Sequence, residues 1–99
     1  MKKYDIKGEE VEMGTIGDFA DAMGRTSQAI RKWEERTIIP PTRFRDEANR
    51  RLYPKKLIDR VQEIAEEESI TQGVSFKSTN FKERTHEAFK EVEKEILED

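Results

Sequence analysis

The 99-residue sequence has no cysteine. That absence excludes disulfide scaffolds, thiolate metal sites and cysteine nucleophiles, and it removes thiol-based redox sensing from the candidate functions. Histidine occurs once, at position 86. No Ser, Cys or Asp constellation is spaced to stand beside His86, so acid–base or nucleophilic catalysis has no candidate centre and the residue reads as solvated. Long apolar runs are also missing. None approaches the ~20 residues needed to span a bilayer, and the start Met1-Lys2-Lys3-Tyr4-Asp5 turns polar at once. The cytoplasm of a bacterial or phage-infected cell is the expected location, with no membrane partner.

What is present in quantity is charge. Charged residues make up 41% of the chain and hydrophobic ones 33%, a balance that suits one thin-cored domain of short amphipathic helices better than a buried parallel sheet. The net charge of −3 conceals a segregation. Residues 1–13 carry three lysines against four acids, residues 14–61 eleven Lys/Arg against seven acids, and residues 62–99 five against eleven. A basic centre beside an acidic tail can present a local phosphate-binding field, because charges act over about a Debye length of ~10 Å. The carboxylates of Glu66, Glu67 and Glu68, and of Glu91, Glu93 and Glu95, fall on charged helical stretches that look like solvated surfaces. No enzyme activity, metal or cofactor is expected.

Periodicity divides the chain into elements. Residues 1–13 alternate loosely around Gly8 and predict a β-hairpin or an extended arm. Ile16, Phe19, Ala20 and Met23 follow helical spacing, with a capping-box pair at Thr15 and Asp18 and a stop at Gly24. Thr26 can cap a second helix that turns Ile30 and Trp33 inward and Gln28, Arg31, Lys32 and Glu35 outward. Trp33 and Phe19 are assigned to the core. Pro40-Pro41 breaks that helix, and the runs Thr42–Arg45 and Arg50–Tyr53 flank turn formers at 46–49, predicting a basic β-hairpin, or wing. Helical spacing resumes after Pro54 through about Glu68. Residues 69–80 read as a loop, and 81–99 as an acidic helix with Thr85, Phe89, Val92 and Ile96 on one side.

Two short helices joined by a tight turn and followed by a basic hairpin make a device for reading duplex DNA. The residues Thr15-Ile16-Gly17-Asp18-Phe19-Ala20, Gly24, Thr26, Ala29-Ile30-Arg31-Lys32-Trp33-Glu34, Ile38-Ile39-Pro40-Pro41 and Arg51-Leu52-Tyr53 resemble MerR-type regulators in order and spacing over about 50 residues. The resemblance implies a mainly α fold, a MerR-like winged helix-turn-helix over 14–68. It further implies that Thr26, Ser27, Gln28, Arg31 and Lys32 face the major groove, with Arg43, Arg45, Arg50, Arg51 and Tyr53 near phosphates or the minor groove.

Chemically, Arg31 can offer a bidentate fork to guanine and Gln28 can meet an adenine edge. Glu34 either braces a wing arginine or is solvated, and Tyr53 either sends its hydroxyl to a phosphate or is structural. Two positions depart from the family pattern: Arg25 stands where an apolar residue is usual, and Thr37 where glycine is usual. The expected partner is double-stranded DNA, with a homodimer through the last helix or a fold-back of that helix as alternatives. The expected function is a sequence-specific regulator of transcription. The alternatives are a phage or mobile-element recombination or packaging factor, of excisionase or terminase small-subunit type, and a protein-interaction module without a DNA role.

Overall fold

A computed structural model describes residues 1–70 and 76–98. The chain begins with a hairpin, β1 (Lys2–Ile6) and β2 (Glu9–Gly14), turned at Lys7 and Gly8 with φ of 53° and 85°. Positive φ at both central residues gives the turn a twist that matches the flanking strands. Helices α1 (Ile16–Met23) and α2 (Ser27–Glu35) follow, then strands β3 (Phe44–Arg45) and β4 (Arg51–Pro54), helix α3 (Lys55–Glu67), a short 3-10 turn (Phe76–Ser78) and helix α4 (Phe81–Leu97). The mainly helical architecture with a two-stranded wing, an N-terminal hairpin and an extra C-terminal helix is as the sequence predicts.

Both helices of the helix-turn-helix begin and end by identifiable chemistry. Thr15 accepts from the Asp18 amide while the Asp18 carboxylate accepts from the Thr15 amide, a complete capping box. Gly24, at φ 66°, ends α1: its amide reaches the Asp21 carbonyl, and the Arg25 amide reaches that of Ala20. The end of α2 repeats this arrangement, with Thr37 donating to Glu34 and Ile38 to Trp33. Here the left-handed position, φ 57°, is held by Thr37. The glycine expected by analogy marks a real conformational demand, which this chain meets with a β-branched residue.

Arg25 also acquires a reason. Its guanidinium lies 5.6 Å from the Trp33 ring centroid, and it donates to the Ile70 carbonyl at 2.6 Å, so a cation covers the core where an apolar residue is usual.

Sheet order is β1-β2-β4-β3, all neighbours antiparallel. The hairpin is therefore not a free arm. Gly14 pairs with Tyr53 and Met13 with Pro54, so the wing is continuous with the N-terminal sheet. A built Cβ at Gly14 would lie 2.7 Å from the Ile58 side chain, which explains a glycine at this junction. The larger core joins Phe19, Ile30, Trp33, Tyr53, Val61, Phe81 and Phe89. A smaller one, Met13, Phe44 and Leu52, lies under Ile96 and Leu97 at the end of α4.

Helix α4 folds back onto α3. Phe81, Thr85, Phe89 and Val92 are buried in the domain's own core, and Arg84 pairs with Glu67 and Glu68. Lys7 donates to the Leu97 carbonyl at the helix end. Of the two alternatives for this helix, the structure has the fold-back: its apolar stripe is buried within one chain. Of the loop predicted over 69–80, residues 71–75 lie outside the described residues, as does Asp99 of the predicted 81–99 helix. Phe76 packs edge-on against Trp33 at 5.3 Å.

Candidate nucleic-acid interface

The exposed face of α2 follows from what its inner face buries. Ile30 and Trp33 are fixed in the core, and the Thr26 side chain accepts from the Ala29 amide at 3.1 Å. At 100° per residue, Gln28, Arg31 and Lys32 then point outward, and all three are exposed. Thr26 is exposed with its hydroxyl used as the cap, and Ser27 is half-buried. Arg31 and Lys32 make no ion pair among the described residues.

The wing is organised by its own carboxylate. Asp46 accepts from the amides of Ala48 and Arg50 and from the Arg50 guanidinium at 3.0 Å. These bonds, the Arg50 amide first, hold its pKa below the ordinary value. Asn49 takes the left-handed position at φ 62°, and its carbonyl accepts from Arg45. Arg43, Arg45 and Arg50 remain exposed.

Arg51 behaves differently. Its Nε and Nη2 meet the two oxygens of Glu34 at 3.0 and 3.1 Å, with the side chains only 26% and 17% exposed. Of the two readings open for Glu34, the structure has the bracing one: a two-bond fork ties α2 to the wing and raises the Arg51 pKa.

Tyr53 corrects an expectation. It is 1% exposed, its ring is 4.7 Å from that of Phe19, and its enclosed hydroxyl has no hydrogen-bond partner among the described residues. Burial first, and then the Glu34 carboxylate, push its pKa up to about 12. A phosphate has no access to this hydroxyl as the structure stands. The reason is strand alternation: Tyr53 and Arg51 share one face of β4, turned toward α1 and α2.

A cleft of about 580 Å³ separates these parts, with Arg31 of α2, Arg50 and Arg51 of the wing, Gly17 of α1 and Lys2 and Tyr4 of β1 on its walls. The arrangement thus brings Arg31, Arg50 and Arg51 to one cleft. Arg43 lies instead beside α4, its amide donating to the Glu93 carboxylate at 3.3 Å. Glu93 is 9% exposed, and burial raises its pKa.

His86 also departs from expectation. It is half-buried, with Nε2 2.9 Å from the Thr37 carbonyl at the exit from α2. Neither Glu93 nor His86 was identifiable as a contact from sequence. Their helical spacing places them on α4, but nothing local names the loop that meets them.

A helix-turn-helix with an exposed polar second helix and a basic wing tied to it defines a DNA-binding class of protein. Comparison with known families gives the narrower assignment. Residues 15–69 match the MerR HTH family regulatory protein family, and the chain belongs to that family. Membership implies, in general terms, a DNA-binding regulator of transcription. No curated protein and no solved structure matches the chain. Among the described residues no group of His, Cys, Asp and Glu could hold a metal ion, and no helix is long and apolar enough to cross a membrane.

Proposed function

We propose that the chain binds duplex DNA with base preference and regulates transcription, with the helix over 26–36 in the major groove and the wing over 42–53 on adjacent backbone. One observation carries this reading: α2 buries Ile30 and Trp33 while holding Gln28, Arg31 and Lys32 exposed, with Arg31 sharing a cleft with Arg50 of the wing and making no ion pair among the described residues. Arg31 supplies a fork for guanine O6 and N7, and Gln28 an amide for an adenine edge. Thr26 and Ser27 hold the backbone at the start of the helix, Lys32 faces the groove from its last turn, and Arg43, Arg45 and Arg50 hold the backbone along the wing. Arg51 is a positioning residue that acts through Glu34. Tyr53 supports the wing from the core.

The test is selection of duplexes from a random library. A single non-palindromic motif is expected, since the apolar stripe of α4 is buried within its own chain. Arg31→Ala flattens the preference at one position of that motif, whereas Arg45→Ala and Arg50→Ala weaken binding to all sequences alike. Enrichment of tandem sites bound cooperatively would favour a recombination or packaging role. No enriched duplex at low salt would refute DNA binding and leave the protein-interaction reading.

A further inference from the structure

The C-terminal helix lies beyond the family-matched segment and is acidic overall, yet its charges are sorted by face. Lys82, His86, Lys90 and Lys94 recur every four residues, and Glu83, Glu87, Glu91 and Glu95 each follow one position later. Residues four apart form one row on a helix, and neighbours in sequence stand about 100° apart, so the helix carries a basic row and an acidic row.

Packing decides which way each row points. The acidic row looks toward α3: Glu95 pairs with Lys56 at 2.6 Å, and Glu87 and Glu91 share a cleft with Arg60. The basic row looks toward the wing and the exit from α2. His86 meets the Thr37 carbonyl, and Glu93, between Lys90 and Lys94, receives the Arg43 amide. Arg43, His86, Lys90 and Lys94 accordingly line one open cleft of about 320 Å³. Lys90 and Lys94 are exposed and make no ion pair among the described residues. Two acids also line this cleft. Glu93 is buried and occupied by the Arg43 amide, and Glu98 stands at its end.

Arg43 immediately precedes β3, at the foot of the wing, and lines the same cleft as Lys90 and Lys94. The ammonium groups of Lys90 and Lys94 therefore continue, from Arg43, a line of cations that starts at the foot of the wing. From this continuity we infer that Lys90 and Lys94, with Arg43, form a second backbone-binding track that grips phosphates of the same duplex outside the base-reading segment. The inference rests on the DNA-binding reading above. On it, the two rows of the appended helix do different work: the acidic row packs with α3, and the basic row lengthens the DNA footprint.

The experiment measures affinity for a selected duplex across a salt series, with the full chain, for wild type and for the double variant Lys90→Gln with Lys94→Gln. Loss of two phosphate contacts makes the plot of log K against log salt shallower by about 2 and weakens binding roughly 60-fold at 0.1 M salt. The base preference stays unchanged.

Because the variant also lowers net charge, a quadruple variant adds Glu87→Gln and Glu91→Gln on the opposite row and restores it. The track predicts that affinity stays low in the quadruple variant. Recovery to wild-type affinity would overturn the inference in favour of a long-range charge effect. Wild-type slope and affinity in the double variant, with Arg31→Ala still losing base preference, would overturn it while leaving the DNA-binding reading intact. A wild-type protein that binds no duplex would end both. A thermal melt unchanged by these exposed substitutions shows that the variants are folded.

Discussion

Arginine has opposite surroundings on two neighbouring elements of this molecule. On α2, Arg31 is exposed and makes no ion pair among the described residues. On β4, Arg51 is half-buried and held at two points by Glu34. The difference teaches that a basic residue in a DNA-binding domain can be satisfied within the protein. A guanidinium that reads bases must stay available, whereas one that sets the angle between helix and wing must be satisfied within the protein.

The sharpest way to break that contrast is to remove the brace. Arg51→Ala should lower stability by about 1–3 kcal/mol, since it leaves Glu34 partly desolvated without a partner. It should also weaken binding to every duplex, because the wing loses its orientation. Urea unfolding and a binding assay on two unrelated duplexes check both effects. A variant that melts like wild type would show that Arg51 is an ordinary surface cation.

Arg31→Ala should do the reverse. About 1–3 kcal/mol of discrimination between the selected site and a single-base variant disappears, while the unfolding midpoint hardly moves, as is usual at an exposed position. Competition binding with the two duplexes reads this directly. A large fall in stability would mean that the two arginines are not of different kinds.

Thr37→Gly sharpens the comparison from the helix side, because Thr37 sets where α2 stops and the wing connection begins. Glycine should raise stability by about 1 kcal/mol at this left-handed position, with DNA affinity kept. The thermal midpoint checks it, and a lower midpoint would mean that the Thr37 side chain contributes more than its backbone strain costs.

The smallest effect is expected from Tyr53→Phe: below about 1 kcal/mol at neutral pH, since the lost hydroxyl is buried without a partner among the described residues, and no change in affinity. Its signature lies in alkali. Unfolded tyrosine loses its proton near 10, whereas Tyr53 in the fold holds it to about 12. Between those values the folded state binds more protons, so stability falls as pH rises, and the phenylalanine variant should fall less steeply. Loss of DNA affinity in this variant would return Tyr53 to the contact surface.

Much of this could be read from the chain because it is local. The caps at Thr15 and Thr26, the Gly24 stop, the Pro40-Pro41 break and the turn around Asp46 are each decided within a few residues. The outward direction of Gln28, Arg31 and Lys32 follows from the inward pull of Ile30 and Trp33.

What could not be read was every choice of distant partner. The pairing of Gly14 with Tyr53 needs the sheet, and the burial of the Tyr53 hydroxyl needs Phe19 and Phe89 packed around its ring. Whether Glu34 is a brace or a solvated acid depends on an arginine 17 residues away. The spacing of Lys82, His86, Lys90 and Lys94 makes a row on any helix, but only the folded-back position of α4 gives the row a direction.

The most direct test of the central claim is a resonance-by-resonance NMR titration of the protein with its selected duplex. The account predicts that the largest shifts fall on Gln28, Arg31 and Lys32 and on the wing around Arg45 and Arg50, while the exposed Glu63 and Glu66 of α3 stay still. A saturating complex in which the α2 resonances do not move would contradict it.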